Sequence, residues 1–153
     1  MRIRQYVYFS VFSETATADE IASYLDLPPD RAWVRGSRTA DPPRPPTHSW
    51  QLVCDTPGLA IDEQVAEVLD RLRKIEDRLV AIGAALLGEG GGCRLQLVRN
   101  FDDDEGEEEE LSPPDAPLQK LAGQHQLLGW YLDAKSLKFL ARVGADLDAD
   151  EYG

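Results

Sequence analysis

The stretch DEQVAEVLDRLRKIEDRLVAIGAALL, residues 62–87, decides the fold. Val65, Val68, Leu72, Ile75, Leu79, Ile82 and Leu86 step through it at intervals of three and four without interruption. That beat keeps apolar side chains on one stripe of an α-helix, because each turn takes 3.6 residues. Ala66 and Leu69 widen the stripe, and Asp62 stands where an N-cap belongs. A continuous helix over 62–87 would be about 39 Å long at 1.5 Å per residue. A small sheet rarely covers that length, so two readings follow. In one, the helix lies along a sheet. In the other, its stripe is the seam of a homodimer through Val65, Val68, Leu72, Ile75 and Leu79. Three heptads are the minimum for a coiled coil, which favours the sheet.

Outward from the helix the beat changes to two. Val7, Phe9 and Val11 share one face of an opening strand, with Tyr6, Tyr8, Ser10 and Phe12 on the other. The same opening imitates a secretory leader, but its apolar stretch is only about seven residues and acids follow at once. A strand fits better. Thr17-Ala18-Asp19-Glu20 is a capping box for a short helix through Ile21, Ala22 and Leu25, which Pro28 and Pro29 end. Arg31 to Arg38 and His48 to Asp55 read as strands, separated by the stiff connector Asp41-Pro42-Pro43-Arg44-Pro45-Pro46.

Beyond Gly88–Gly92, Cys93, Leu95 and Leu97 alternate with Arg94 and Gln96 as a fourth strand ending near Phe101. Leu127 to Leu132 reads as a fifth strand, after a weakly patterned helical segment from Pro117 to Gln126. Leu137, Leu140, Ala141 and Gly144 mark a final helix capped by Asp133, and Leu147 to Tyr152 closes the chain as a strand. The predicted order is βαββαββαβ. That is an α+β fold, a mostly antiparallel sheet with helices packed on one face. Residues 1–153 read as a single domain with an acidic, Pro-containing loop at 102–117.

The net charge of −12 is local rather than general. Residues 1–50 balance to zero, residues 51–100 to −2 and residues 101–153 to −10, and eight of the acids lie between Asp102 and Glu110. Such a run is a solvated, self-repelling loop before it is a Ca²⁺ site, since it lacks the register of an EF-hand. Its spacing carries no phosphate lattice, so nothing marks a nucleic-acid mimic, and a nucleic-acid partner is not expected. No segment reaches the roughly 20 apolar residues of a membrane span. Cys54 and Cys93 sit singly in alternating apolar segments, which predicts buried reduced thiols and a cytoplasmic protein.

No known catalytic motif is present, and neither His48 nor His125 has a carboxylate or cysteine at metal-ligand spacing. No cofactor is expected. Gly88 to Gly92 lies between a helix and a strand, the wrong order for a phosphate cradle. The candidate ligand-binding cluster is Trp33, Arg35, Gly36 and Arg38, with Trp50 on the neighbouring strand. An aromatic beside two guanidiniums forms a cation–π shelf or an anion pocket. Set against this, Trp33 and Trp50 serve equally as core anchors and Gly36 as a turn residue.

At these residues the chain resembles the bacterial family known as domain of unknown function 4279. Tyr6-Val7-Tyr8-Phe9-Ser10, Leu25-Asp26-Leu27-Pro28, Trp33-Val34-Arg35-Gly36 and Ser49-Trp50 carry the resemblance, with the ending Leu137 to Gly144 and Asp148-Ala149-Asp150-Glu151-Tyr152. The acidic run and Pro113 to Gln126 depart from the pattern. The resemblance implies a small soluble bacterial protein and assigns no activity. Two functions remain open: a non-enzymatic binding domain, acting like an immunity protein toward a basic partner, and an anionic-ligand or enzymatic domain using Trp33, Arg35 and Arg38.

Overall fold

A computed structural model of the chain describes residues 2–36, 44–102 and 129–153. Five strands form one sheet: β1 (Arg2–Ser13), β2 (Arg31–Trp33), β3 (His48–Cys54), β4 (Gly92–Asp102) and β5 (Ala145–Tyr152). Their spatial order is β2-β3-β1-β4-β5, which places the opening strand in the middle. Register explains why it belongs there. Across β3, β1 and β4, Cys54 aligns with Val7 and Leu97, Leu52 with Phe9 and Leu95, and Trp50 with Val11 and Cys93. Three apolar rows therefore share one face, and nearly all nine side chains are fully sealed from solvent.

The helices cover that face. Helix α1 (Ala18–Leu25) has the predicted capping box, with the Thr17 amide donating to Glu20 Oε2 and the Glu20 amide to Thr17 Oγ1. Asp26 closes it in the left-handed region at φ 55°. The helix expected over 62–87 is not continuous, which corrects the reading above. Helix α2 (Ile61–Leu72) and helix α3 (Glu76–Leu86) are separated by a single 3₁₀ turn, Arg73–Ile75, where Ile75 takes φ −117° and ψ 17°. No Gly or Pro causes this break. Helix α2 lies over β1 and β3 while α3 lies over β4, so the turn re-aims one apolar stripe across the twisted sheet.

Of the two readings of the stripe, the structure takes the favoured one, the sheet. Val65, Val68, Leu72 and Leu79 are buried against the chain's own sheet and Ile75 packs partly against the same core, so they cannot also form an intersubunit stripe. The cap of α2 is Ala60 rather than Asp62.

Helix α4 (Ala134–Val143) starts at Asp133, whose carboxylate accepts the Ser136 amide, and ends at Gly144 in the left-handed region, as its sequence requires. It packs on α3 where Gly83 has no side chain: a Cβ there would lie 2.9 Å from the Val143 carbonyl. Strand β5 then runs parallel to β4, the one parallel pair among the described strands. The expected fifth strand at Leu127–Leu132 is not found where the structure describes it. Residues 129–132 form no strand, and Trp130 and Leu132 pack partly buried against the core. Strand β2 is also shorter than expected, because beyond Trp33 the backbone turns its amides off the sheet: Arg35 N–H donates to His48 Nδ1 and Gly36 N–H to the Pro45 carbonyl. Arg38, the expected acidic loop beyond residue 102, the expected helical segment Pro117–Gln126 and the first two residues of the expected strand Leu127–Leu132 lie outside the described residues.

Candidate functional site

The four described residues of the predicted cluster do not converge. Trp33 pairs with Ser49 and Ala32 with Trp50, so the two indoles leave opposite faces of the sheet. Trp50 is fully buried on the helix face, where Nε1–H donates to the Leu27 carbonyl at 3.0 Å. Trp33 is 51% exposed on the other face. The Arg35 guanidinium donates to the Glu14 carbonyl at 3.2 Å and lies 3.8 Å from the Glu14 carboxylate, tying the end of β2 to the end of β1. Gly36 permits a backbone crossing: a Cβ there would stand 2.6 Å from the Arg44 carbonyl oxygen. Cation–π contacts do occur on the open face, but from Arg31 to Tyr6 and from Arg94 to Phe12, each guanidinium within 5.6 Å of its ring.

A different site lies at the end of the sheet where β1 begins and β4 ends. A cleft of about 1000 Å³ opens there between Ile3–Tyr6, the loop Asp55–Ala60, the first turn of α2, and Arg99 and Asn100 of β4. Two buried polar side chains form its inner wall. Gln64, 1% exposed, projects from the apolar stripe of α2 and donates through Nε2 to the carbonyls of Gln5 and Thr56, both at 3.3 Å. Gln5 reciprocates by donating its Nε2 to the Leu59 carbonyl at 2.8 Å. These bonds hold the loop against β1 and fix which end of the Gln64 amide faces them. The Gln64 Oε1 atom is then left without a hydrogen-bond donor among the described residues. A buried orphan acceptor costs about 1–3 kcal/mol.

Arg99 is the second such residue. It follows Cys93, Leu95 and Leu97 on the inward face of β4, aligned with Gln5, and is 5% exposed. Its guanidinium donates to Glu151 Oε1 at 2.9 Å and stacks 5.0 Å from the Phe101 ring centre. Above these residues α2 begins at Ala60, which has no side-chain acceptor for the amides of the first turn, although Glu63 Oε2 accepts the Ala60 amide at 2.8 Å. The described lining contains neither histidine nor cysteine. It mixes the guanidiniums of Arg4 and Arg99 and the carboxylate of Asp55 with the apolar side chains of Ile3, Leu59 and Ile61.

The opposite edge of the sheet is chemically distinct. Along β5, Asp146, Asp148 and Asp150 project to the open face and Glu151 to the helix face. Gln96 Nε2 donates to Asp150 at 3.1 Å and Arg99 holds Glu151, while Asp146 and Asp148 stay exposed with no ion pair among the described residues. Their field is visible in nearby phenols: Asp150 holds the Tyr152 hydroxyl above the usual tyrosine range, and Tyr8 is raised chiefly by its own burial, with Tyr6, Asp150 and Asp148 adding to the effect. The cysteines take no part. Both are free and buried, and burial pushes the Cys93 thiol up to about 12.

No helix of the described residues is long and apolar enough to cross a membrane. Comparison with curated proteins and with solved structures finds no match. A family model matches residues 3–153, including the opening strand, the β2 and β3 tryptophans and the acidic closing strand. The chain belongs to the DUF4279 family, a domain of unknown function.

Proposed function

We propose that this chain is a non-enzymatic binding domain that engages a basic protein partner through the acidic edge strand β5, in the manner of a protein that neutralises a toxin. The observation that carries the reading is the edge itself. Eight residues, Ala145–Tyr152, form a sheet border bearing Asp146, Asp148, Asp150 and Glu151, with Leu147 and Tyr152 exposed between and beside them. An edge that no other described strand covers is a template for another strand, and carboxylates along it repel a second copy while attracting a basic partner. The acidic run that follows β4 in sequence adds negative charge to the chain, which suits the same kind of partner.

The alternative, a small anionic ligand at Trp33 and Arg35, is less well supported, because Arg35 already meets Glu14. Capture from lysate of the source organism, at low and high salt, tests the binding reading. The expected result is a basic partner retained at low salt, released at high salt and weakened by Asp146→Asn with Asp148→Asn. Retention that ignores both salt and these substitutions, or no retention at either salt, contradicts it.

A further inference from the structure

We infer that the outer edge of β5 takes up, as a sixth strand, an extended segment of the partner in which basic and apolar residues alternate. This rests on the binding reading above and names the partner's chemistry at the same strand. Two strands border the described sheet, and they differ. Strand β2 offers three residues, whereas β5 offers eight and has no described strand on its far side. The outward N–H and C=O groups of such a strand are met when a further strand pairs with it.

Register decides what that strand carries. Leu147 and Ala149 continue the apolar rows of the core, aligned with Leu95 and Leu97 of β4 and through them with Phe9 and Val7 of β1. Those four inner side chains are fully buried, yet Leu147 is 42% exposed, so its row runs out uncovered at the border. On the open face the rows end in carboxylates instead, where Arg94, Gln96 and Val98 align with Asp146, Asp148 and Asp150. Asp150 accepts from Gln96, while Asp146 and Asp148 have no ion pair among the described residues. Successive side chains of a strand alternate between faces, and directly opposite residues on neighbouring strands touch. An incoming strand therefore meets carboxylate, leucine, carboxylate, alanine and carboxylate in turn. Basic residues opposite the three aspartates and apolar ones opposite Leu147 and Ala149 satisfy both faces at once. A second copy of β5 sets aspartate against aspartate, and a segment that is basic throughout places charge on the apolar side.

Titration of the ¹⁵N-labelled full chain at low salt tests this with end-capped peptides. One alternates, Lys-Val-Lys-Val-Lys; a second has the same composition in blocks, Lys-Lys-Lys-Val-Val; a third alternates with the opposite charge, Glu-Val-Glu-Val-Glu. The alternating basic peptide should bind at least about tenfold more tightly than its block isomer, the ratio expected when two or three cross-strand pairs are lost, and the acidic peptide should not bind. The bound peptide should shift the amides of residues 146–150 and slow their exchange. Asp148→Lys, at an exposed position, should reverse the preference at the peptide's centre, so that Lys-Val-Glu-Val-Lys binds better than Lys-Val-Lys-Val-Lys. Equal binding of the block and alternating isomers would overturn the strand assignment while leaving a charge-led partner in place. No binding by the alternating peptide, a preference unmoved by Asp148→Lys, or shifts confined to another part of the sheet would overturn it too. Capture from lysate, scored separately, then decides whether the edge has a basic partner.

Discussion

Replacing Trp50 by Phe separates a core tryptophan from a ligand-binding one. The Trp50 side chain is fully buried and its indole N–H reaches the Leu27 carbonyl at 3.0 Å, joining β3 to the segment after α1. Phe keeps the first ring, loses the second and removes the donor. The lost ring atoms and the space they leave cost about 1–2 kcal/mol. Leaving the carbonyl without its donor adds about 1 kcal/mol, the lower end of the usual penalty because Leu27 is only partly buried. A loss of about 2–3 kcal/mol is thus expected, a large part of the roughly 5–15 kcal/mol that holds a domain together. Trp33→Phe, at a side chain 51% exposed on the opposite face, should change stability by no more than about 0.5 kcal/mol. Urea unfolding followed by far-ultraviolet circular dichroism measures both, with an unchanged slope for each variant. Equal losses, or a larger loss at Trp33, would refute the assignment of Trp50 to the core and Trp33 to the surface.

Gly36→Ala forces a Cβ to within 2.6 Å of the Arg44 carbonyl, so a melting curve should show a destabilisation of about 1–3 kcal/mol from displaced backbone, with the far-ultraviolet spectrum kept. Asp30 is held below the ordinary carboxylate range, first by its hydrogen bonds from Arg71 and then by the Val53 amide. Its contribution is therefore complete above the unfolded-state pKa near 3.9 and fades as pH falls through the lower folded value. Asp30→Asn should cost about 1 kcal/mol at neutral pH, a figure kept small because both side chains are more than a third exposed, and the gap to the native protein should close in acid. With its thiol pushed up to about 12, Cys93 should resist iodoacetamide at pH 8 in the folded chain and react once urea unfolds it; rapid alkylation of the native protein would contradict its burial.

Much of the fold is written in two periods, and its departures have local causes. The two-residue beat of Val7, Phe9 and Val11, and of Leu52 and Cys54, maps directly onto the apolar rows of the sheet. The three-and-four beat of residues 65–86 also reports the buried stripe correctly, yet says nothing of the 3₁₀ turn at Arg73–Ile75. Periodicity records which face is apolar; the bend answers the twist of the sheet beneath, a tertiary property. Likewise the apolar residues of Leu127–Leu132 read as a strand, yet Trp130 and Leu132 pack partly buried against the core without joining the sheet.

The candidate site was less legible. Trp33 and Trp50 attract notice by residue type, while register, which no single segment encodes, sends them to opposite faces. The signals for the cleft were present and unread. Gln64 stands on the buried stripe of α2 directly before Val65, and Arg99 continues the inward row of Cys93, Leu95 and Leu97. A polar residue at a position that the period assigns to the core marks a site more reliably than an exposed aromatic does.

Cleft and acidic edge alike depend on where β1 runs, because its first residues wall the one and its pairing with β4 positions the other. Native-state hydrogen exchange of the intact chain probes that arrangement directly. Amides of Val7 to Val11, enclosed by β3 and β4 and covered by α2, should exchange last and only with global unfolding, after those of β2 and β5. Early exchange across Val7 to Val11, with β5 or β2 outlasting them, would contradict a fold organised around this strand.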